Sequence, residues 1–182
     1  QLADLVTSAI EASTAETVNV LELGSFAGIN LQLVRDGLAA DQKRRSRLFG
    51  LEPNAAAVDI GNASLDEIRL VRGSHQNLRI RLPDLPEQFQ VCMISRVLMT
   101  LTPEMVRDTL ASLKGRADTL IICDDIYNVD GDIPVVRTPP DFCIMHTFRR
   151  LLLAAGFDIS DVIMADVPDR ECSGFIIAQA RS

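Results

Sequence analysis

The sequence predicts an α/β fold, doubly wound, in which helices on both faces cover a mostly parallel seven-stranded sheet that ends in an antiparallel C-terminal hairpin. Three observations lead there. Five apolar runs of strand length come first, alternating with helical stretches, a pattern that implies a parallel sheet buried on both sides. The last two runs, "DISDVIMADV" and "SGFIIAQARS", are separated only by "PDREC"; a parallel crossover needs a dozen or more residues, so these two must pair antiparallel. The length of 182 residues suits one domain, 1–182, that can bury its apolar surface without disulfides or a structural metal.

The elements follow in order. Leu2, Leu5, Val6, Ala9 and Ile10 share one face of an opening helix. Val18, Val20, Leu21 and Leu23 form a buried strand over 18–23, and Ile29, Leu31, Leu33 and Val34 open a helix over 29–40. "RLFGLEPN" gives a second strand ending at Glu52, and "SLDEIRLVRGS" a third ending near Gly73. "FQVCMIS" is the fourth. In "TPEMVRDTLASLKG", Thr102 caps a helix with Pro103 at its first position, Glu104 behind it and Gly115 past its end. "TLIICDD" is the fifth strand. "MHTFRRLLLAAGF" is a helix with Phe148, Leu151, Leu152 and Ala155 on one face, closed by Gly156. The stretch 126–144, "IYNVDGDIPVVRTPPDFCI", with three prolines, a glycine and several acids, is read as irregular, and a loop of that length is often a functional lid.

Composition narrows the function. No run reaches the roughly 18 uncharged residues of a membrane span, and the N-terminus lacks the basic start and apolar core of a signal peptide. A soluble, cytoplasmic protein, monomeric or homodimeric, is expected. Gln1 is an unusual first residue and is compatible with a longer chain. A formal charge of −7 argues against a non-specific grip on nucleic acid, whose affinity comes mostly from Lys and Arg neutralising phosphates. Lys43, Arg44, Arg45 and Arg47 are the one basic cluster and read as a solvated loop. Cys92, Cys123, Cys143 and Cys172 show neither a C-x-x-C pair nor zinc-like spacing, and read as small buried hydrophobes in a reducing compartment.

Parallel sheets of this kind bind ligands beyond the C-terminal ends of their strands. The first such segment is Glu22-Leu-Gly24-Ser25-Phe26-Ala-Gly28. A dinucleotide turn, G-x-G-x-x-G, needs its second glycine to admit a pyrophosphate; Phe26 stands there and Ile29 replaces the third glycine, which disfavours a dehydrogenase. The segment resembles the first motif of the class I S-adenosylmethionine-dependent methyltransferases, E/D-x-G-x-G-x-G, with Phe26 in place of the middle glycine. "LFGLEPN" is similar to that family's second motif, whose acid, here Glu52, receives ribose hydroxyls. "VRGSHQNL" resembles G-D-A-x-x-L, with Ser74 replacing the acid that meets adenine. "FQVCMISRVLMTLTPE" resembles the fourth motif of small-molecule members, with Thr100 where many carry His.

The resemblance implies the strand order 3-2-1-4-5-7-6. It implies S-adenosylmethionine as cofactor, S-adenosylhomocysteine as product, and a cofactor-binding set of Glu22, Gly24, Ser25, Phe26, Gly28, Glu52, Pro53, Ser74, His75, Ser95 and Arg96. A side chain at Gly28 is expected to block the ligand sterically. The activity implied is methyl transfer to oxygen or nitrogen of a small-molecule acceptor; a catalytically silent cofactor- or partner-binding domain of the same fold is the alternative, because fold does not fix function. Residues 126–146 are expected to cover the acceptor, with His146 and Tyr127 as candidate catalytic groups facing it. Asp124, Asp125 and Asn128 are candidate substrate contacts. Catechol-type members hold magnesium with an Asp-Asn pair here and an Asp after the fourth strand, where this chain has Ser95-Arg96. Arg96 would repel a cation, so no metal is expected.

Overall fold

Alternation along β1 (Val18–Leu23) sends Val18 and Val20 to one side of the sheet and Leu21 and Leu23 to the other, where each pair joins a separate apolar cluster. The computed structural model describes residues 1–79, 83–126, 128–137, 143–165 and 173–181, except the side chains of residues 75, 79 and 137. Parallel to β1 run β2 (Ser46–Glu52), β3 (Ile68–Arg72), β4 (Phe89–Ser95) and β5 (Ala117–Asp125). Two further strands, β8 (Phe157–Met164) and β9 (Ser173–Ala180), form the antiparallel hairpin, and β9 lies between β5 and β8. The order β3-β2-β1-β4-β5-β9-β8 is the one the resemblance implies, because two short strands in the insert after β5 shift only the numbering.

Helices α1 (Leu2–Ala12), α2 (Ile29–Gly37) and α4 (Ala55–Ser64) cover one face, packing Val6, Ile10, Leu31, Val34 and Val58 onto Val20, Leu48 and Met93. Helices α5 (Pro103–Leu113) and α6 (Phe148–Ala155) cover the other, packing Val106, Leu110, Phe148 and Leu152 onto Leu21, Ile94 and Ile122. Thr102 accepts from the amide of Met105 at 3.3 Å with Pro103 at the first position, and Gly156 closes α6 at φ 87°. Asn54, unread in the sequence, caps α4 by accepting from the amides of Ala56 and Ala57. No helix among the described residues is long and apolar enough to cross a membrane.

Three expectations need correction. The helix expected over 29–40 ends at Gly37, and Lys43, Arg44 and Arg45 are not a loop but the last turn of a second helix, α3 (Ala40–Arg45). Tertiary hydrogen bonds hold α3: Arg45 donates to the carbonyls of Ile10, Ser13 and Ala15 at 2.6 to 3.2 Å, and Gln42 donates to Glu11 at 2.7 Å. The stretch 126–144 is not wholly irregular, since β6 (Val135–Arg137) and β7 (Cys143–Met145) pair antiparallel within it. Among the described residues between β3 and β4, the crossover carries a 3-10 turn, His75–Arg79, and no α-helix. "PDREC" lies outside the described residues.

Candidate functional site

The turn between β1 and α2 is built on two left-handed glycines, Gly24 at φ 72° and Gly28 at φ 82°, with Phe26 between them also left-handed at φ 47°. A side chain other than glycine is costly in that region, which is why glycine is the usual middle residue of such a motif. Phe26 nevertheless projects outward and is 59% exposed. Gly61, inside α4, sets how closely that helix lies on the turn: a Cβ there would stand 2.8 Å from the carbonyl oxygen of Ala27. A Cβ on Gly24 would run into Val97, beyond the end of β4. On Gly28 it would meet Leu65 at 2.7 Å and then Leu70. That position therefore guards packing of the turn against the core, because the nearest atoms a Cβ there would meet belong to Leu65 and Leu70.

Strand alternation turns Glu22 toward α2, where it is fully buried. Its Oε1 accepts from Asn30 Nδ2 at 2.7 Å, while Oε2 has no partner; burial, opposed by the Asn30 hydrogen bond and aided by nearby Glu52, raises its pKa to about 7. Glu52, at the end of β2 and also buried, accepts from the amide of Phe26 through Oε2 and from the amide of Asn54 through Oε1, both at 2.9 Å. It thereby ties the turn to β2. Ser25 is buried with an unpartnered hydroxyl, and Pro53 is exposed. Ser74 is engaged locally: its amide donates to Asn77 Oδ1 at 2.7 Å. His75 opens the 3-10 turn, its side chain outside the description.

At the ends of β4 and β5 the polar groups serve one another. Asp124 is fully buried, accepting from the amide of Met99 through Oδ2 at 3.0 Å and from the amide of Asp125 through Oδ1 at 2.9 Å. Burial dominates these hydrogen bonds and raises its pKa to about 6. Asp125 accepts from Arg96 (3.3 Å) and Ser173 (3.1 Å) through Oδ1, and from the Cys143 thiol (3.0 Å) through Oδ2. Arg96, left-handed at φ 60°, also reaches Ser173 at 3.1 Å. Ser95, next to it, is partly buried and stands opposite Cys123 in the pairing of β4 with β5. Asn128 donates to the carbonyls of Ile133 (2.7 Å) and Met145 (3.3 Å), which fastens the β6–β7 hairpin.

His146, fully buried, packs edge-on against Phe148, with its Nε2 2.8 Å from the carbonyl oxygen of Leu98. A carbonyl only accepts, so Nε2 carries the proton and Nδ1 a lone pair, which has no partner. Burial lowers the His146 pKa below its ordinary value, opposed by the backbone of Leu98 and of Leu101. Tyr127 lies outside the described residues. The structure thus gathers Glu22, Gly24, Ser25, Phe26, Gly28 and Glu52 in one turn, and gathers Ser95, Arg96, Asp124 and Asp125 at the neighbouring strand ends. Gly50 and Gly61 are the positions that sequence reasoning missed: a Cβ on Gly50 would collide with Ser25 and Leu70. Glycine inside a strand and inside a helix was the available signal.

No family model matches the chain, and no curated protein matches it in sequence. Solved structures do. CalS10, an amino pentose methyltransferase from Micromonospora echinaspora solved with S-adenosylmethionine bound, aligns at a TM-score of 0.70 and 15% identity, over 98% of this chain and 89% of that one. Magnesium protoporphyrin IX methyltransferase from Synechocystis PCC 6803, also with bound cofactor, aligns at 0.67 and 16%, over 99% and 78%. The mitomycin 7-O-methyltransferase MmcR aligns at 0.67 and 13%, over 98% of this chain but 53% of its own, so the chain spans about half that enzyme's length. The fold is that of the class I S-adenosylmethionine-dependent methyltransferases. Its neighbours include a glycopeptide N-methyltransferase and a carbon methyltransferase as well.

Proposed function

We propose that the chain is an S-adenosylmethionine-dependent methyltransferase acting on oxygen or nitrogen of a small-molecule acceptor. The observation that carries this reading is the pair of buried carboxylates at the glycine turn, one of which, Glu22, keeps an oxygen without a partner. An unpartnered buried carboxylate oxygen is costly, and a ligand ammonium at the turn offsets that cost. Glu52 holds the turn through one lone pair of each oxygen and retains others for two ribose hydroxyls. Gly24 keeps the approach bare. The cofactor supplies a methyl group already activated on a sulfonium.

The chain's part is then to bind, align and exclude water, which alone can lower a barrier by several kcal/mol. Residues 126–146 are the acceptor-facing cover, with the hairpin fastened by Asn128 and Arg96 held at the mouth by Asp125 and Ser173. Proton removal from the acceptor is assigned to the Nδ1 lone pair of His146, reached when the cover opens, with Tyr127 as the second candidate. One observation favours the alternative, a cofactor-binding domain without turnover: both oxygens of Asp124 and of Asp125 are occupied by neighbours.

Thermal unfolding with S-adenosylhomocysteine at 100 times its dissociation constant should show stabilisation of about 2.7 kcal/mol, with NAD giving none. No shift with S-adenosylhomocysteine overturns the cofactor assignment. Binding without methyl transfer to a panel of hydroxylated and amine acceptors supports the silent alternative.

A further inference from the structure

The basic run after α2 is not used by the site above, and α3 carries most of it. Ser46 opens β2 with only 8% exposure, and its buried hydroxyl has no hydrogen-bond partner. It lines a groove of ≈ 480 Å³ at the N-terminal ends of β2 and β3, the sheet edge opposite the glycine turn. That volume lies in the range of small-ligand sites. Arg35, Lys43, Arg44, Arg47 and Arg69 line the groove against a single carboxylate, Glu67. Leu48, Phe49 and Ile68 contribute apolar surface.

The frame of this groove is fixed. Arg35 donates from Nη1 to the carbonyl of Lys43 at 2.9 Å and pairs with Glu67, while Arg69 pairs with Asp84. Arg45 fastens the far side of α3 to α1 through three carbonyls. Lys43, Arg44 and Arg47, by contrast, make no ion pair among the described residues. In a chain with a formal charge of −7, three cations without an ion pair among the described residues line one groove with an unpartnered buried hydroxyl, an arrangement that favours an anion there. The apolar surface at Phe49 gives that anion a non-polar portion to cover.

We propose that this groove binds a phosphate-bearing small molecule of the nucleoside diphosphate class. The phosphates lie among Lys43, Arg44 and Arg47 and accept from the Ser46 hydroxyl, and the base packs on Phe49. Arginine forks and a lysine point charge suit phosphate oxygens.

Calorimetric titration of the full chain with GDP tests this, with pyrophosphate as a second probe and S-adenosylhomocysteine as a control for the glycine turn. GDP should bind, and the combined Lys43→Ala, Arg44→Ala and Arg47→Ala variant should bind it about 10-fold or more weakly. Affinity for S-adenosylhomocysteine should be unchanged in that variant. These side chains make no ion pair among the described residues and lie outside the apolar core, so folding should persist; Ser46→Ala, which adds no bulk, is the second variant and should weaken GDP several-fold. GDP should also bind more tightly than pyrophosphate. No GDP binding at about millimolar concentration, equal affinity in the triple variant, or displacement of GDP by S-adenosylhomocysteine overturns the site, and equal affinity for pyrophosphate overturns the nucleoside.

Discussion

The β1–α2 turn and the strand ends at β5 are both buried, acidic and adjacent, yet they treat polar atoms differently. At the turn, Glu22 Oε2 and Ser25 Oγ are buried with nothing to bond. At β5, Asp124 and Asp125 engage every carboxylate oxygen with a neighbouring amide, hydroxyl, thiol or guanidinium. A buried polar atom left alone costs about 1–3 kcal/mol, so a fold that leaves two in one turn is less complete there than at β5. On the proposed function, the difference separates a ligand-binding turn from strand ends that maintain the architecture around it: substitutions at the turn should register in ligand affinity, and substitutions at β5 in stability.

The strongest way to break that division is Glu52→Ala. Removal of a charged acceptor should weaken S-adenosylhomocysteine by about 1.5–3 kcal/mol, measured by calorimetry; a loss below a few tenths of a kcal/mol would detach Glu52 from the ligand. Asp124→Asn comes next. An amide can accept from only one of the two backbone N–H groups that Asp124 serves, so chemical denaturation should show about 1–3 kcal/mol less stability, with ligand affinity preserved. A tenfold loss of affinity there would erase the distinction between the two regions.

The smallest effect sharpens the comparison through pH. The Glu22 pKa is raised from 4.5 to about 7, so the folded chain binds more protons than the unfolded one between those values, and stability from this group falls as pH rises across that window. A cationic ligand favours the ionised form. Its affinity should therefore rise up to about 10-fold from pH 6 to pH 8, and Glu22→Gln should flatten the profile. A slope that persists in Glu22→Gln assigns the titration to another group.

The sheet was legible because its evidence is periodic: Val18 to Leu23 alternates, and "PDREC" is too short for a crossover. The turn was legible because glycine spacing and flanking acids lie close together in sequence. What escaped is held by tertiary contacts. Helix α3 has no apolar period and rests on Arg45 and Gln42 reaching α1. Strands β6 and β7 have three residues each, too few to show a period. The partners of Asp124 are amides, one of them 25 residues away, which a sequence pattern does not encode. The identity of a side chain at a strand end was readable, but not whether its oxygens were already occupied.

The last described strand, β9, is an interior one: it fills the gap between β5 and β8. Until it is synthesised, β5 presents a nine-residue open edge containing Leu120, Ile121 and Ile122, and β8 has no partner in the sheet. At about 5–20 residues per second on the ribosome, that edge stays bare while the roughly fifty residues between β5 and β9 are made. During this interval the nascent chain depends on being shielded from edge-to-edge association with its neighbours. A release or cleavage before Ser173 would leave the β5 edge open, a template for pairing with another chain that β9 otherwise covers.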